Sequence, residues 1–287
     1  IQSDEFRRLG IFGDWQHPYL TMTTDYEAAT ARELARFAER DGLYKGRKPI
    51  HWCSSCVTAL AEAEVEYEDH TSPSIFVKFP YQDELPAGFD ALAEKPLSFV
   101  IWTTTPWTLV SNTAIAVHPE IEYVVIEVTD EENTEVLVVA KNLMEAVKGE
   151  KKILKTMLGK ELERITYKRP FDYIEIPDAH YVVLATYVTT EDGTGLVHQS
   201  PAFGADDLQV CRAYGLPVVN PVAPDGHFLA DVELVGGMFF KDADKPLVKE
   251  LKTRGLLYRH QPYEHSYPHC WRCHTALIYY AQPSWYI

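Results

Sequence analysis

The segment WTTTPWT at residues 102–108 places four threonine hydroxyls and two indoles around one proline. The run before it, residues 98–102, is apolar and β-branched, so the segment is predicted to follow a buried strand. A second stretch, GTGLVHQSPAFGADD at residues 193–207, combines a glycine-flanked strand ending at His198 with an acidic helix start. Short hydroxyl side chains, a histidine and carboxylates suit a pocket that holds a small amine beside an ester. The two stretches are therefore predicted to form one small-ligand pocket.

Length and composition indicate a globular protein with a full core. The chain has 287 residues, of which 46% are hydrophobic, enough for one large or two modest domains. No window approaches the roughly 18 apolar residues needed to cross a bilayer, so no membrane role is expected. The sequence starts at Ile1 without a signal peptide and ends on apolar residues. We interpret it as a fragment of a longer polypeptide, with a cytoplasmic location.

The formal net charge of −15 restricts the partners that the chain can bind. Proteins that bind nucleic acid through phosphates alone are basic, because each phosphate contact needs a lysine or an arginine. The acidic balance therefore argues against nonspecific nucleic-acid binding. It leaves open the transient capture of one flexible RNA end.

Four of the five cysteines form two CxxC pairs, Cys53 with Cys56 and Cys270 with Cys273. Two such pairs can supply the four thiolates of a tetrahedral zinc ion, and we predict a structural zinc site. Disulfides or a redox function of the CxxC pairs are the alternatives. Cys211 lies in a helical pattern and is predicted to be a buried apolar side chain. A site joining both pairs would make everything between them an insertion on a neck.

The pattern of apolar residues predicts a mixed α/β fold that is mainly β. Thr24 and Glu27 suggest a capping box for a helix that Gly42 ends. Strands are predicted at residues 74–79, 97–102, 113–117, 123–128, 135–139, 181–187 and 195–198, and short helices at 141–147, 205–214 and 244–254. Many short strands with a few helices outside them suggest a closed or nearly closed β-barrel.

The two pocket stretches closely resemble the editing site of isoleucyl-tRNA synthetases, and the resemblance covers the whole chain. Further matching motifs are RLG (8–10), GDW (13–15), PYLTM (18–22), LYKG (43–46), HWC (51–53), AEAEVEY (61–67) and SYPHCWRC (266–273). The HIGH and KMSKS signatures of class I synthetases occur nowhere in the sequence. Two departures from the family pattern are Val110-Ser111, where Pro-Ala is usual, and Ser200, where alanine is usual.

The resemblance implies an editing β-barrel with peripheral helices and a small zinc-ribbon-like neck. Residues 1–72 would be the first neck segment with a helix and the first CxxC pair, 73–262 the barrel, and 263–287 the second neck segment. The implied reaction is hydrolysis of mischarged Val-tRNA(Ile), which needs no cofactor beside the structural zinc. The implied partners are the tRNA(Ile) 3′ end carrying valine and the rest of the parent synthetase, with no membrane.

The resemblance also assigns roles to individual residues. Asp207 would pair with the α-ammonium of the substrate, and His198 would orient substrate or water. The hydroxyls of Thr103, Thr104 and Thr105 would contact the terminal adenosine or the ester, and their bulk would exclude isoleucine. The catalytic set is therefore Asp207, His198, Thr103, Thr104 and Thr105, and the substrate-binding set adds Trp102, Thr108, Asn112, Gly195 and Phe203.

Structural interpretations stand beside these functional ones. The threonines can simply end a strand, Asn112 can be a turn residue, and Asp206 and Asp207 can be acids favoured at a helix N-terminus. A lone histidine such as His198 is more often structural, and the sequence identifies no general base. At the level of the whole chain, the alternatives are a non-catalytic zinc-containing module that binds the tRNA acceptor end and a redox protein.

Overall fold

The computed structural model describes residues 1–82, 96–130 and 133–287. In these ranges the chain forms the helices α1 (Gln2–Arg8), α2 (Thr24–Glu39), α3 (Ala205–Ala213) and α4 (Phe240–Thr253). The strands are β1 (Tyr44–Cys53), β2 (Thr58–Ala59), β3 (Val65–Pro80), β4 (Leu97–Thr103), β5 (Ala114–Val117), β6 (Glu122–Asp130), β7 (Asn133–Ala140), β8 (Glu150–Leu158), β9 (Tyr181–Leu184), β10 (Val197–Gln199), β11 (Leu257–Cys270) and β12 (Ile278–Tyr286). The predicted mixed, mainly β class is confirmed.

The largest sheet has six strands in the order β11-β3-β4-β7-β6-β8. Its central strands are almost continuously apolar because both faces are covered. On one face Phe99 and Ile101 join the main core, and on the other Val100 packs in a second cluster with Val124 and Ile126. Only the β4–β7 pair is parallel; the other pairs of this sheet are antiparallel. The sheet thus delivers the C-terminal end of β4 to the segment that follows Thr103.

A smaller sheet, in the order β10-β5-β9, delivers the second polar stretch. All four residues of β5 are buried between its neighbours. β10 pairs antiparallel with β5, and the register sets His198 opposite Ile115. β9 runs parallel to β5 on its other side. His198 is therefore held on a short strand whose position is fixed by a buried central strand.

The strands do not close into the barrel that the sequence analysis predicted. In the described residues they form three separate sheets, the third in the order β12-β1-β2. The reason lies in β3 and β11, which are 16 and 14 residues long. They pair antiparallel from Val65↔Cys270 to Leu257↔Val77, whereas β4 pairs with β3 only from Ile75 onward. The N-terminal half of β3 therefore leaves the sheet as a two-stranded ribbon.

The chain divides into two units, one made of residues 1–47 and 283–287 and the other of residues 48–282. The first unit contains α1 and α2, neither of which has a buried residue. The predicted helix is confirmed as α2, but the capping box is wrong, because the N-cap is Thr23 and no side chain caps the helix. Acidic residues in its first turn suit the helix dipole instead. The division of the chain at residues 72 and 262 stays a prediction.

The helix expected at 141–147 is a 3₁₀ helix, Lys141–Ala146, with a non-helical residue at Leu143. None of the helices in the described ranges combines the length and the apolar character needed to span a bilayer.

We predict that Gly195→Ala destabilises the protein more than Gly215→Ala. Both glycines have positive φ angles, +74° and +70°, so both variants lose about 1 kcal/mol to left-handed backbone strain. A Cβ at Gly195 would also overlap the side chain of Ala140, whereas a Cβ at Gly215 meets nothing within 4 Å. Overpacking adds about 1–3 kcal/mol at Gly195 alone. Urea unfolding measures the difference, and equal losses would contradict the predicted clash.

Candidate functional site

A short buried helix follows β4 and fixes the threonine-rich segment. Pro106 begins the 3₁₀ helix Pro106–Ser111, all of which is buried. The Trp107 backbone N–H donates a hydrogen bond of 2.9 Å to Asp244 Oδ1 on α4. The Trp107 ring packs edge-on against Phe203 at 4.6 Å and Phe240 at 4.9 Å between ring centroids. The segment is thus anchored to α4 through both its backbone and its side chain.

The two polar stretches meet around a cavity of about 190 Å³, here called the threonine cavity. Side chains from both stretches form its walls: Trp102, Thr103, Thr105, Thr108, Val197, His198, Ser200, Phe203 and Asp207. The first stretch comes from the end of β4, and the second from β10 and the turn before α3. The structure therefore brings together seven of the ten residues predicted for the pocket.

The other three predicted residues lie beside or behind the threonine cavity. Thr104 and Gly195 line a neighbouring cavity of about 330 Å³, which shares Trp102, Thr103 and Val197 with the threonine cavity. Asn112 is fully buried and contacts His198 from behind.

The hydroxyls of the threonine cavity bond to one another. Thr103 Oγ1 lies 3.1 Å from Thr105 Oγ1 and accepts a hydrogen bond of the same length from the Thr105 N–H. Thr105 Oγ1 lies 3.3 Å from Thr108 Oγ1. The Thr108 hydroxyl donates to the Thr105 carbonyl at 2.8 Å, which leaves its lone pairs as acceptors. The three hydroxyls form one connected wall with fixed directions.

His198 is held by a directional chain of buried hydrogen bonds. The Tyr167 hydroxyl donates to Asn112 Oδ1 at 2.7 Å, so the Asn112 amide nitrogen must face His198 Nδ1, 2.8 Å away. Nδ1 is therefore the acceptor, and Nε2 carries the proton that bonds to Thr108 Oγ1 at 3.0 Å. Burial lowers the pKa of His198 to about 3. The ring is neutral and has no free nitrogen lone pair for a general base.

Asp207 faces the threonine cavity from the first turn of α3. Its Oδ2 accepts a hydrogen bond of 2.7 Å from the Ser200 N–H. Gly204 allows this position, because a Cβ there would come within 2.7 Å of the Asp207 carboxyl carbon. Burial raises the pKa of Asp207 to about 7. The charge of Asp206 raises this pKa further, whereas the hydrogen bond from the Ser200 N–H lowers it. Asp206 is exposed and lies outside the cavity wall.

Sequence reasoning missed several residues that support the site. Ser200 was noted only as a departure from the family pattern, yet it lines the cavity and its Oγ lies 2.7 Å from Ser111 Oγ. Tyr167 donates a hydrogen bond to Asn112, 55 residues earlier in the sequence, and Asp244 accepts one from Trp107, 137 residues earlier. No local motif marks such distant partners. The sequence signal was an aspartate, Asp244, at the helical spacing of the apolar residues Phe240, Leu247 and Leu251.

The four paired cysteines converge on one point. Their sulfur atoms lie within 4.8 Å of one another, with Cys53 and Cys56 at 3.5 and 3.7 Å from Cys273. Sulfurs around a tetrahedral zinc with bonds of about 2.3 Å are about 3.8 Å apart, so the arrangement fits a zinc ion. All five cysteines are free thiols. The pairs therefore do not form disulfides with each other, and the cluster can hold a metal ion.

In both CxxC turns the residue that follows the second cysteine has a left-handed backbone. The residue after each pair is Val57 or His274, and these have positive φ angles of 49° and 54°. Left-handed backbone is strained for a β-branched residue such as valine. The Cys56 N–H also donates to Cys53 Sγ at 3.3 Å. The sulfurs of both turns converge, and in the first turn an amide also points at a sulfur, as in a metal-binding knuckle.

A family model described as tRNA synthetases class I (I, L, M and V) matches residues 1–287. The chain belongs to the class I tRNA synthetases. It is 55% identical over 285 residues to an isoleucine–tRNA ligase of Streptomyces coelicolor, covering 98% of this chain and 26% of that protein. It is 51% identical over 292 residues to an isoleucine–tRNA ligase of Syntrophotalea carbinolica, covering 100% of this chain and 31% of that protein. The family predicted from the sequence is confirmed.

One solved structure has a similar fold. The crystal structure of GlLeuRS-CP1 superposes with a TM-score of 0.51 at 18% identity. The match covers 66% of this chain and 98% of that structure. This segment of a class I synthetase therefore has a CP1 fold, and it spans less than a third of the length of the curated relatives named above.

We predict that the purified chain binds one zinc ion through the four cysteines and that Cys270→Ser releases it. Removal of one thiolate from a four-sulfur shell weakens the site strongly. Cys211→Ser is the matched control, because Cys211 is also a buried thiol but lies outside the cluster. Metal analysis by mass spectrometry checks both variants. Equal zinc content in the wild type and Cys270→Ser would contradict the assignment.

Proposed function

We propose that this chain is the editing domain of an isoleucyl-tRNA synthetase and hydrolyses mischarged Val-tRNA(Ile). The observation that carries the proposal is the threonine cavity, in which the Asp207 carboxylate faces three linked hydroxyls. The reaction adds water across the ester bond and gives valine and the free 3′ hydroxyl of the tRNA. No metal or organic cofactor takes part in it. The zinc ion of the cysteine cluster would have a structural role.

An isoleucyl-tRNA synthetase needs a separate hydrolytic cavity because its aminoacylation site cannot separate valine from isoleucine well. One methylene in an apolar pocket discriminates by only ~1–3 kcal/mol, as is known for isoleucyl-tRNA synthetases themselves. An editing cavity must therefore admit valine and reject isoleucine by size. The threonine cavity, at about 190 Å³, is smaller than the neighbouring cavity of about 330 Å³. We assign the valyl group to the threonine cavity and the terminal adenosine to the larger one.

Asp207 is proposed to bind the α-ammonium of the valyl ester. One of its oxygens is already held by the Ser200 N–H, so the carboxylate has a fixed direction when the substrate arrives. A charge-assisted bond to an ammonium is about twice as strong as a neutral hydrogen bond. An ammonium beside the carboxylate also favours its ionised form, against the effect of burial. Asp207 would thus recognise the group that every aminoacyl ester carries.

His198 is proposed to shape the cavity and to fix the threonine hydroxyls. Both ring nitrogens are bonded to protein groups, so the ring does not take a proton from water. Its Nε2–H occupies one lone pair of the Thr108 hydroxyl and leaves the other for the Thr105 hydroxyl. The ester carbonyl and the attacking water would then meet a preorganised set of hydroxyls. We assign no protein general base to the reaction.

The rest of the parent synthetase and the tRNA 3′ end are the proposed partners. The chain spans 26% of the Streptomyces relative, so most of such a protein lies outside it. Large apolar side chains in residues 1–47 are exposed, among them Phe12 at 97% and Tyr19 at 80%. Exposed apolar groups of this size are typical of a surface covered by another part of a protein. We propose that other parts of the synthetase cover them.

We predict that Asp207→Asn lowers deacylation of Val-tRNA(Ile) at least tenfold. The variant keeps the size of the side chain and loses one charge-assisted bond worth ~1.5–3 kcal/mol. Asp206→Asn is the matched control, because this neighbouring carboxylate is exposed and lies outside the cavity wall. Release of labelled valine from the tRNA measures both variants. A wild-type chain that binds the tRNA end without hydrolysis would favour a non-catalytic binding module.

The pH profile of the same reaction tests the charge of Asp207. Its carboxyl has a pKa of about 7 when the cavity is empty, so kcat/KM should rise as pH increases to about 7. It should fall again as the α-amino group loses its proton near pH 8. Asp207→Asn should lose the rising limb after subtraction of the uncatalysed rate. An unchanged rising limb in the variant would assign that ionisation to another group.

We predict that Thr105→Ala allows hydrolysis of Ile-tRNA(Ile), because the smaller side chain enlarges the threonine cavity. The gain should be at least tenfold, within the range that one methylene supplies. Thr105→Val keeps the volume and removes the hydroxyl, so it should still reject isoleucine. Thr104→Ala removes the same atoms outside this cavity and should not admit isoleucine. The size filter is wrong if Thr105→Ala still rejects Ile-tRNA(Ile), or if all three variants hydrolyse it equally well.

A further inference from the structure

A third cavity, of about 380 Å³, lies where α4 meets the strands β3 and β11. Its walls combine cationic, imidazole and apolar side chains: His70, Thr71, Pro73, Lys241, Asp244, Lys245, Val248 and His260. It shares no lining residue with the threonine cavity or with its neighbour. We call it the α4 cavity. Nothing in the proposed hydrolysis uses it.

Lys241 is the unusual residue of the α4 cavity. Its Nζ is buried and has no hydrogen-bond partner among the described residues. Its nearest recorded contacts are aromatic, with the Tyr267 ring centroid at 4.1 Å and that of Phe240 at 5.9 Å. Burial lowers the pKa of Lys241, and the charge of Asp244 opposes that effect only in part. The two rings attract the ammonium but accept no ordinary hydrogen bond, so Nζ can still pair with an anion.

Asp244 does not supply that anion. It is 6% exposed, and its Oδ1 accepts the hydrogen bond from the Trp107 N–H described above. It makes no hydrogen bond to Lys241 Nζ. Burial also raises the pKa of Asp244 to about 7, so the carboxyl carries only part of a charge at neutral pH. The lysine therefore keeps its capacity for an external acceptor.

The remaining walls indicate what kind of anion fits. Lys245 is exposed at the rim and adds a second ammonium, although the chain as a whole carries a net charge of −15. His70 and His260 offer flat rings, and Pro73 and Val248 offer apolar surface. The cavity is larger than a bare oxyanion, and an oxyanion would not use its imidazole and apolar surfaces. They suit a ligand with one phosphate and one flat ring.

We propose that the α4 cavity binds a nucleotide, with its phosphate at Lys241 and Lys245 and its base against the imidazoles and Pro73. Two sources supply this chemistry, a free nucleotide and one nucleotide of a single-stranded RNA end. The RNA source rests on the proposed function, whereas the cavity and its cations do not. Phosphate contacts position RNA, and rings stack on bases without sequence preference.

Occupation of the α4 cavity would act on the threonine cavity through α4. Lys241 and Asp244 are one turn apart on the helix, and Asp244 holds the backbone of Trp107. A phosphate on Lys241 would fix the helix turn that anchors the threonine-rich segment. The nucleotide would thus stabilise the hydrolytic geometry from outside the reacting groups.

The experiment titrates the chain with AMP, adenosine and inorganic phosphate and follows binding by calorimetry. We expect AMP to bind at least tenfold more tightly than adenosine or phosphate. Lys241→Met should weaken AMP binding at least tenfold while keeping contact with the Tyr267 ring. Lys249→Met is the matched control, because this exposed lysine on the same helix lies outside the cavity, and its AMP affinity should stay within twofold. Lys245→Met, at an exposed position, should give an intermediate loss without any effect on folding.

Other outcomes overturn the proposal. Equal losses in Lys241→Met and Lys249→Met, or equal binding of AMP and adenosine, would remove the phosphate site. If Thr105→Ala weakens AMP binding and Lys241→Met does not, AMP occupies the cavities of the editing site instead. A CCA trinucleotide that displaces AMP identifies RNA as the source, and failure to displace it identifies a free nucleotide. None of these titrations depends on ester hydrolysis, so they stand or fall separately from the proposed function.

Discussion

The hydrogen bond from the Asn112 amide to His198 Nδ1 orders the contact between the two halves of the threonine cavity, which the Thr108–His198 and Ser111–Ser200 bonds also join. Asn112 belongs to the segment after β4, and His198 lies on β10, 86 residues later. The bond fixes the imidazole tautomer, and the tautomer in turn fixes which atoms of Thr108 and Thr105 remain acceptors. The Tyr167 hydroxyl, which comes from a third part of the sequence, sets the donor-to-acceptor direction of this series of hydrogen bonds. Because these groups are buried, the loss of one leaves the others without partners.

The sequence predicted the content of the site better than its shape. The segment 102–108 and the segment 193–207 could be paired because their residue types fit one chemistry and because they resemble one family. Thr104 was placed with Thr103 and Thr105, but it lies at a bend just after β4 and lines only the neighbouring cavity. Only the backbone geometry at the end of β4 separates the three threonines. Their spacing in the sequence does not contain that information.

The wrong barrel expectation has a different cause, which also explains the strands that the sequence analysis did not predict: β1, β2, β8, β11 and β12. The alternation of polar and apolar residues in β11 is weak, because that strand is exposed along much of its length. Its antiparallel pairing with β3 is set by partners such as His265↔His70, far apart in the sequence. Sheet closure depends on such distant registers, which a local pattern does not specify. The α4 cavity escaped prediction for the same reason.

Two buried carboxyls lower the free energy of unfolding at neutral pH. Asp207 and Asp244 both have a pKa raised to about 7, well above the value near 3.8 of an exposed aspartate. The folded chain therefore binds these protons more tightly than the unfolded chain. As pH rises from about 4 to about 7, this difference lowers the free energy of unfolding, and above about 7 both charges are carried at full cost. Such a cost is typical of groups kept for function.

The position of the cysteines along the chain also has a consequence for synthesis. Cys56 and Cys273 lie 217 residues apart, and β3 finds its partner β11 only after almost all of that length has been made. During translation the first cysteine pair and the free edge of β3 leave the ribosome without their partners. Non-local pairing of this kind folds late, and unpaired edges are prone to aggregate. A nascent chain would therefore carry half of the cysteine cluster and an open strand until residues 257–273 emerge.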